Sequence, residues 1–512
     1  MRKFFKRFTS VLLIASLGLS LVACNGGKDK NGVDKNGYGG SVTVGITQEP
    51  NSFDPHMVVA AGDEEILFNI FEGLFKYDST GTLQPCLATD YTVNEEATEY
   101  VFTIRDNVKF HNDQEMTMAD VIYSYKRATG LLNEGDTALV AELDCVTDVF
   151  ERDGKLVITL DQSNSEILTY FTTAIIPASV EDIGSTPIGT GPFVFDNYTV
   201  GVSVTLKRND NYWQESLPYL DSVVFKILAD MNSGDTEIRN GYIDIFPHYT
   251  MDKAELLPTE SFNILTCPSN MVQIFALNST FEPFSNPLVR EAINYAIDRD
   301  ALIQLSVDGA GVPLTTAMSP AMGDAYDTSI DGTYSQDIDY ANELMEEAGY
   351  GDGFDVTITI PSEYLVSVDT TVALVDQLSS IGINATIEQT DWSTWLSDVY
   401  AGRNYEATVI FLTSNYSAYD VMSRYETSNS GNFINYSNPE YDEIIAQIPL
   451  TTDINERNEM YHELLAILVA DNASCYIQDP LEVVAVSSEL EGYQVYPMYV
   501  QDMSTVRYIA SN

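Results

Sequence analysis

The chain reads as an α/β protein of more than one domain, and three observations carry that reading. From Asn286 onward, apolar stripes at helical spacing alternate with period-two strands. Across residues 76–187 the texture is instead one of strands and turns. The run Pro187-Ile-Gly-Thr-Gly-Pro-Phe193 marks a boundary at the end of that stretch, because its glycines and prolines break both periodicities. A length of 512 residues exceeds what one small core serves and suggests two to four domains.

In chain order, Arg2, Lys3, Lys6 and Arg7 precede an apolar run over 11–21. That is the charged and hydrophobic anatomy of a secretory signal. The run is about half the roughly 20 residues a membrane-spanning helix needs. Leu21-Val22-Ala23-Cys24 then resembles the bacterial lipobox. The resemblance implies cleavage before Cys24, a diacylglyceryl thioether on its sulfur and an acylated new amino terminus. Cys24 is thus the expected lipid site, since two or more acyl chains hold a protein stably on a membrane. Residues 1–23 are the expected signal peptide, and the mature protein is expected on the extracytoplasmic face of the cell membrane.

Residues 24–40 follow as an expected tether, with glycine at six of the 16 positions after Cys24. Its reach of about 20–24 Å exceeds the Debye length of about 8 Å. An acidic body can therefore stand clear of an anionic surface while its lipid stays inserted.

Val42, Val44 and Ile46 alternate as a strand, and residues 66–75 read as an apolar helical segment ending near Gly73. Tyr100, Phe102 and Ile104 predict a strand, as do Leu156, Ile158 and Leu160, with a helix over 118–128 between them. Two strands follow, around Val202–Leu206 and Val223–Ile227, and then a short helix and turn within 238–245. Pro287 opens a helix carrying the stripe Leu288, Val289, Ala292, Ile293, Ala296 and Ile297. Helices over 338–348 and 368–378 alternate with strands over 354–360 and 384–389, which implies a parallel sheet with a crossover helix. Helices near 440–448 and 454–470 and strands near 483–486 and 505–509 close the chain.

The formal charge of −51 makes nucleic acid and anionic headgroups poor partners for the folded surface. Cys86, Cys145, Cys267 and Cys475 show no metal-ligand spacing, and they can pair in three ways or remain thiols. His462-Glu463 begins an HExxH motif that ends in Ala466, so no zincin helix exists. Neither a Walker A loop nor a Gly-x-Ser-x-Gly elbow occurs. No catalytic residue, metal or cofactor is expected. Trp392 and Trp395 are three residues apart just after a predicted strand, and Tyr416 and Tyr419 repeat that spacing. Strand ends in α/β units are where ligands enter open sheets, so these aromatics are candidate ligand contacts.

Several long blocks, in order, resemble the extracellular solute-binding proteins, family 5, of oligopeptide, dipeptide and nickel ABC transporters. They are Pro50-Asn-Ser-Phe-Asp-Pro-His56, Ile70-Phe-Glu-Gly-Leu-Phe-Lys-Tyr77 and Tyr100-Val-Phe-Thr-Ile-Arg-Asp-Asn-Val-Lys-Phe-His111. Gly189-Thr-Gly-Pro-Phe193 and Asn209-Asp-Asn-Tyr-Trp213 follow. Val289-Arg-Glu-Ala-Ile-Asn-Tyr-Ala-Ile-Asp-Arg299, Ala348-Gly-Tyr350 and Asn435-Tyr-Ser-Asn-Pro-Glu-Tyr-Asp442 complete the order.

The resemblance implies an α/β fold of periplasmic-binding-protein-like type II, two lobes with an additional inserted α+β domain. Domain I is expected over 41–75, 188–272 and 488–512, the inserted domain II over 76–187, and domain III over 273–487. A hinge closes the lobes on a ligand, and the closed form docks on an ABC permease. A peptide lies between the lobes like an added strand. By position its edges are Val59, Ala60 and Ala61 on one lobe, and Asn270, Met271, Gln273 and Phe275 on the other. Trp392 matches a family pocket tryptophan. In oligopeptide binders a loop aspartate pairs with the peptide amino terminus. Asn415 stands there, Leu412 stands where the family can place a larger side chain, and Asp420 is the candidate substitute.

The expected function is capture of peptides by a monomeric, lipid-anchored binding protein that hands them to a permease. The alternatives are the same scaffold holding an oligosaccharide or metal chelate, or an extracellular hydrolase.

Overall fold

The computed structural model describes residues 32–58, 61–413 and 417–510. Cys24 and the signal lie outside them, as do Val59, Ala60, Asn415 and Tyr416, and nothing is described of the Ala61 side chain.

Among the described residues a twelve-stranded mixed sheet runs through the molecule. At one end the strands Phe354–Pro361 and Ile383–Thr390 pair in parallel in the register Phe354↔Ile383, and the helix Leu365–Ser379 crosses between them. Ala407–Thr413 and Met271–Leu277 come next. At the other end Ser41–Ile46 pairs in parallel with Ser222–Ile227, followed by Ser203–Arg208 and Phe193–Thr199. One long strand, Cys475–Ser487, joins the two ends. Its first part pairs with Met271–Leu277 and its second part with Phe262–Pro268. A separate antiparallel sheet has the order Ala88–Val93, Glu99–Ile104, Lys155–Leu160, Val146–Arg152.

Each unit is held by its own apolar cluster. Val42, Val44 and Ile46 pack with Phe193, Val223 and Phe225. Tyr100, Phe102, Tyr125 and Phe171 fill the core of the separate sheet, where the Phe102 and Phe171 rings meet edge to face at 5.1 Å. Burying each such side chain contributes about 1.5–3 kcal/mol before entropy is charged against it. The sequence blocks that carry the family resemblance act as rivets between these units. Glu72 is buried and accepts from Thr190 Oγ1, Tyr212 Oη and Trp213 Nε1, which ties three blocks together. Gly189 must lack a side chain, because a Cβ would sit 2.0 Å from the Ile70 carbonyl oxygen. Arg290 and Arg299 are buried and spend their donors on backbone carbonyls such as those of Asn472, Phe284, Leu314 and Tyr476.

Several expectations need correction. The helix expected over 66–75 is Ala61–Leu67, and Phe75–Tyr77 is already a strand. The helix expected within 238–245 is Met231–Arg239, started by a capping box at Asp230 and Ser233. The tether does not extend to Gly40. Val33 is buried, Gly39 N–H donates to the Tyr219 carbonyl, and the Tyr38 ring meets Tyr219 edge-on at 4.9 Å. Glycine content signals flexibility only where no partner surface is present. Cys86, Cys145, Cys267 and Cys475 are free thiols. Among the described residues no helix is long and apolar enough to cross a membrane, and no cluster of side chains could hold a metal ion.

Candidate functional site

Where these units meet lies a cavity of about 780 Å³, lined by residues from 55–77, 139–142, 169–174, 269–271 and 497–500 together with Thr413. That volume lies in the range of small-molecule sites. Its walls mix apolar surface from Phe68, Phe71 and Met498 with the charged groups Glu64, Glu72, Glu142 and Lys76. Lys76 Nζ lies 4.0 Å above the Phe68 ring. Burial pushes the Glu64 carboxyl above its ordinary range, and the Asp63 charge adds to this. Burial lowers His56 to about 4, so its imidazole is neutral at pH 7. His56 Nε2 lies 2.8 Å from the Ala174 carbonyl oxygen, which makes Nε2 the protonated nitrogen.

At one wall the chain crosses between the halves of the large sheet at Ser269–Asn270, and behind that wall it crosses again at Asp479–Pro480. Asp479 binds both crossings. Its Oδ1 accepts from Ser269 N, Ser269 Oγ and Met271 N at 3.0–3.2 Å, and its Oδ2 accepts from Ser319 Oγ. Burial nevertheless pushes its carboxyl up to about 6. Beside this wall the Tyr499 ring meets His248 at a tilt of 30°, with ring centroids 4.6 Å apart. Burial alone would lower the His248 imidazole, but the hydrogen bonds it donates to Glu482 and Glu65 raise it to about 10. It is therefore an imidazolium clamped between two carboxylates.

The segment Ser165–Thr172 is docked on the opposite side of the cavity by three contacts. Arg457 Nε lies 2.7 Å from Glu166 Oε1, Tyr170 Oη donates to Asp420 Oδ2 at 2.5 Å, and Ser165 Oγ donates to the Ile448 carbonyl at 2.9 Å.

The expected ligand contacts divide. Asn270 and Met271 line the cavity. Gln273 and Phe275 do not. Both are wholly buried, Gln273 Nε2 donates to Thr370 Oγ1, and their strand has neighbours on both sides. An added strand needs an unpaired edge, and none is present there. Leu412 is half-buried against the core below, paired with Val272. Trp395 is buried and donates from Nε1 to Thr408 Oγ1 at 3.0 Å. Trp392 stacks on it nearly parallel at 5.2 Å and carries the Tyr364 ring on its other flank at 5.0 Å. Tyr419 packs on the same core. Asp420 faces a second cavity of about 490 Å³ that shares Thr413 with the first. Sequence reasoning missed Glu64, Lys76 and the 169–174 wall, because only the fold brings them to residues 269–271.

A model of the bacterial extracellular solute-binding proteins, family 5 Middle, matches residues 82–433. A glutathione-binding protein of Salmonella typhi is 28% identical over 475 residues, covering 89% of this chain and 92% of its own length. The structure of HbpA2 from Haemophilus parasuis superposes with a TM-score of 0.83 at 19% identity, covering 92% of this chain and 100% of that one. The oligopeptide-binding protein AppA of Bacillus subtilis, solved with a nonapeptide, superposes at 0.68 with 22% identity over 93% and 100%. The match spans well over half of the sequence, takes in the blocks 189–193, 209–213 and 289–299, and makes the chain a member of the bacterial extracellular solute-binding proteins, family 5, whose work is to hold a solute rather than to transform it.

Proposed function

We propose that this protein captures short peptides in the 780 Å³ cavity and delivers them to an ABC permease. The single observation behind the reading is the make-up of that cavity. Three separately packed units and the Ser269–Asn270 crossing contribute to its walls, so its shape follows any relative movement of the units. In this reading domain I comprises 41–75, 188–272 and 488–512, domain II 76–187 and domain III 273–487. Asn270 and Met271 supply backbone at the cleft wall, and Tyr170 in that wall reaches Asp420, which faces the smaller neighbouring cavity. The relative named for glutathione binding, itself a tripeptide, supports a short peptide ligand. Cys24 carries the lipid, and the protein works as a monomer at the outer face of the membrane.

A metal chelate is the second reading. It is favoured by His56, whose neutral ring lines the cavity with Nδ1 unpartnered among the described residues. Native mass spectrometry of the purified protein separates the two. Peptide masses released on denaturation support the proposal. Recovery of only metal complexes or sugars would overturn it.

A further inference from the structure

We propose that the second cavity, about 490 Å³, is a headgroup pocket for an α-amino acid moiety whose ammonium and carboxylate sit on one carbon. The inference rests on the peptide reading above and narrows it.

The cavity is lined by Tyr400, Thr413, Asp420, Ser423, Arg424 and the loop 429–431. Only Asp420 and Arg424 among these carry charge. They are four residues apart along the helix Ala418–Ser423 and its cap Arg424, whose backbone is still helical. That spacing puts both on one face, with Cβ atoms roughly 5–6 Å apart. Yet among the described residues they form no ion pair with each other. One Asp420 oxygen accepts from Tyr170. Arg424 donates once, to the Thr413 carbonyl, although a guanidinium has five N–H donors. An acid and a base are thus held side by side with most of their bonding capacity unspent.

The surroundings select for the same ligand. Ser423, Ser430 and Asn429 offer neutral polar groups, and the Tyr400 ring, stacked on Trp395 at 6.0 Å, is the aromatic wall. In a chain of net charge −51 an anionic group needs a local cation. Arg424 provides one here, as Lys76 does in the larger cavity. An α-linked peptide has no carboxylate on the carbon that bears its ammonium; its carboxylates lie at the far end or out along a side chain. A γ-linked glutamyl residue has both on one carbon. Because Thr413 lines both cavities, the remainder of such a ligand can continue into the larger one.

The test is calorimetric titration of the full-length protein, purified in mild detergent, with three probes. These are S-methyl γ-glutamyl-cysteinyl-glycine, its α-glutamyl isomer and tetra-alanine. The γ isomer is expected to bind about ten- to a hundredfold tighter than the α isomer, the worth of one charge-assisted bond. Arg424→Gln should remove that preference, and Arg424→Lys should restore part of it. Equal affinities for the isomers in the native protein, or a preference that survives Arg424→Gln, would overturn the headgroup pocket. Binding of tetra-alanine alone would overturn the pocket and leave the peptide reading standing. Binding of none of the three would remove both. The isomer comparison uses the unaltered chain, so it stands even if a variant fails to fold.

Discussion

Tyr170 donates its phenolic proton to Asp420 across 250 residues of sequence, at 2.5 Å. The acceptor faces the smaller cavity and the donor lines the larger one. Burial first, and then the Asp420 charge, raise the Tyr170 phenol far above its ordinary range, so it stays protonated at any physiological pH. Tyr170→Phe keeps the ring and removes the bond. It is expected to cost about 1 kcal/mol of stability, less than the roughly 1.5–3 kcal/mol of a bond to a charged group because the pair is only partly buried. Urea unfolding of the two proteins measures it, and identical midpoints would show that the bond contributes nothing.

Three contacts dock the 165–172 segment, and the deepest is Glu166 with Arg457. Both side chains are nearly inaccessible, at 10% and 7% exposure. Burial raises the Glu166 carboxyl even though Arg457 works against it. Arg457→Met should therefore cost about 3–5 kcal/mol, because it strands a buried charge. The double variant Glu166→Gln with Arg457→Met should recover much of that loss. If the single and double variants unfold at the same denaturant concentration, the pair is not coupled as described.

Asp479 at the chain crossings carries a carboxyl raised to about 6 by burial. An unfolded aspartate titrates near 3.9. Between about pH 4 and pH 6 the folded state therefore binds more protons than the unfolded one, so this group makes stability fall as pH rises through that window. Above it the contribution is flat. Asp479→Asn should lack this component, so the stability difference between wild type and variant should change across pH 4–6 and not from pH 6 to 8. Parallel profiles over the whole range would contradict the assignment.

Cys24 is the one thiol assigned a covalent role by the sequence. Cys24→Ser is expected to abolish incorporation of labelled palmitate and to shift the protein from the membrane fraction to the medium. Retention on membranes with undiminished label would place the acyl groups elsewhere.

Much of the fold was legible because its signals are local. Leu288, Val289, Ala292, Ile293 and Ala296 form a stripe whose helix is Pro287–Ala296. Phe354, Val356, Ile358 and Ile360 alternate in the strand Phe354–Pro361, which pairs in parallel as the intervening helix requires. Boundaries failed where tertiary contacts overrode local composition. The glycine-rich residues 33–40 pack on Tyr219, and the apolar 66–75 segment divides into the end of a helix and a strand. In the candidate site, Asn270 and Met271 lie at the cavity wall, while Gln273 and Phe275 are buried away from it. The alternation of their strand says which side each residue faces, but not whether its edges are already paired.

The family, and the type and sequence of most helices and strands, could be read from residues a few positions apart. Where distant stretches meet is a different matter: Asp420 meets Tyr170, Asp479 holds both crossings, and Arg424 stands beside Asp420 with no ion pair between them among the described residues. The reason is physical. Periodicity reports which face of an element is apolar, but a hydrogen bond or a cavity depends on where two distant stretches come to rest, and nothing local to either stretch encodes that position.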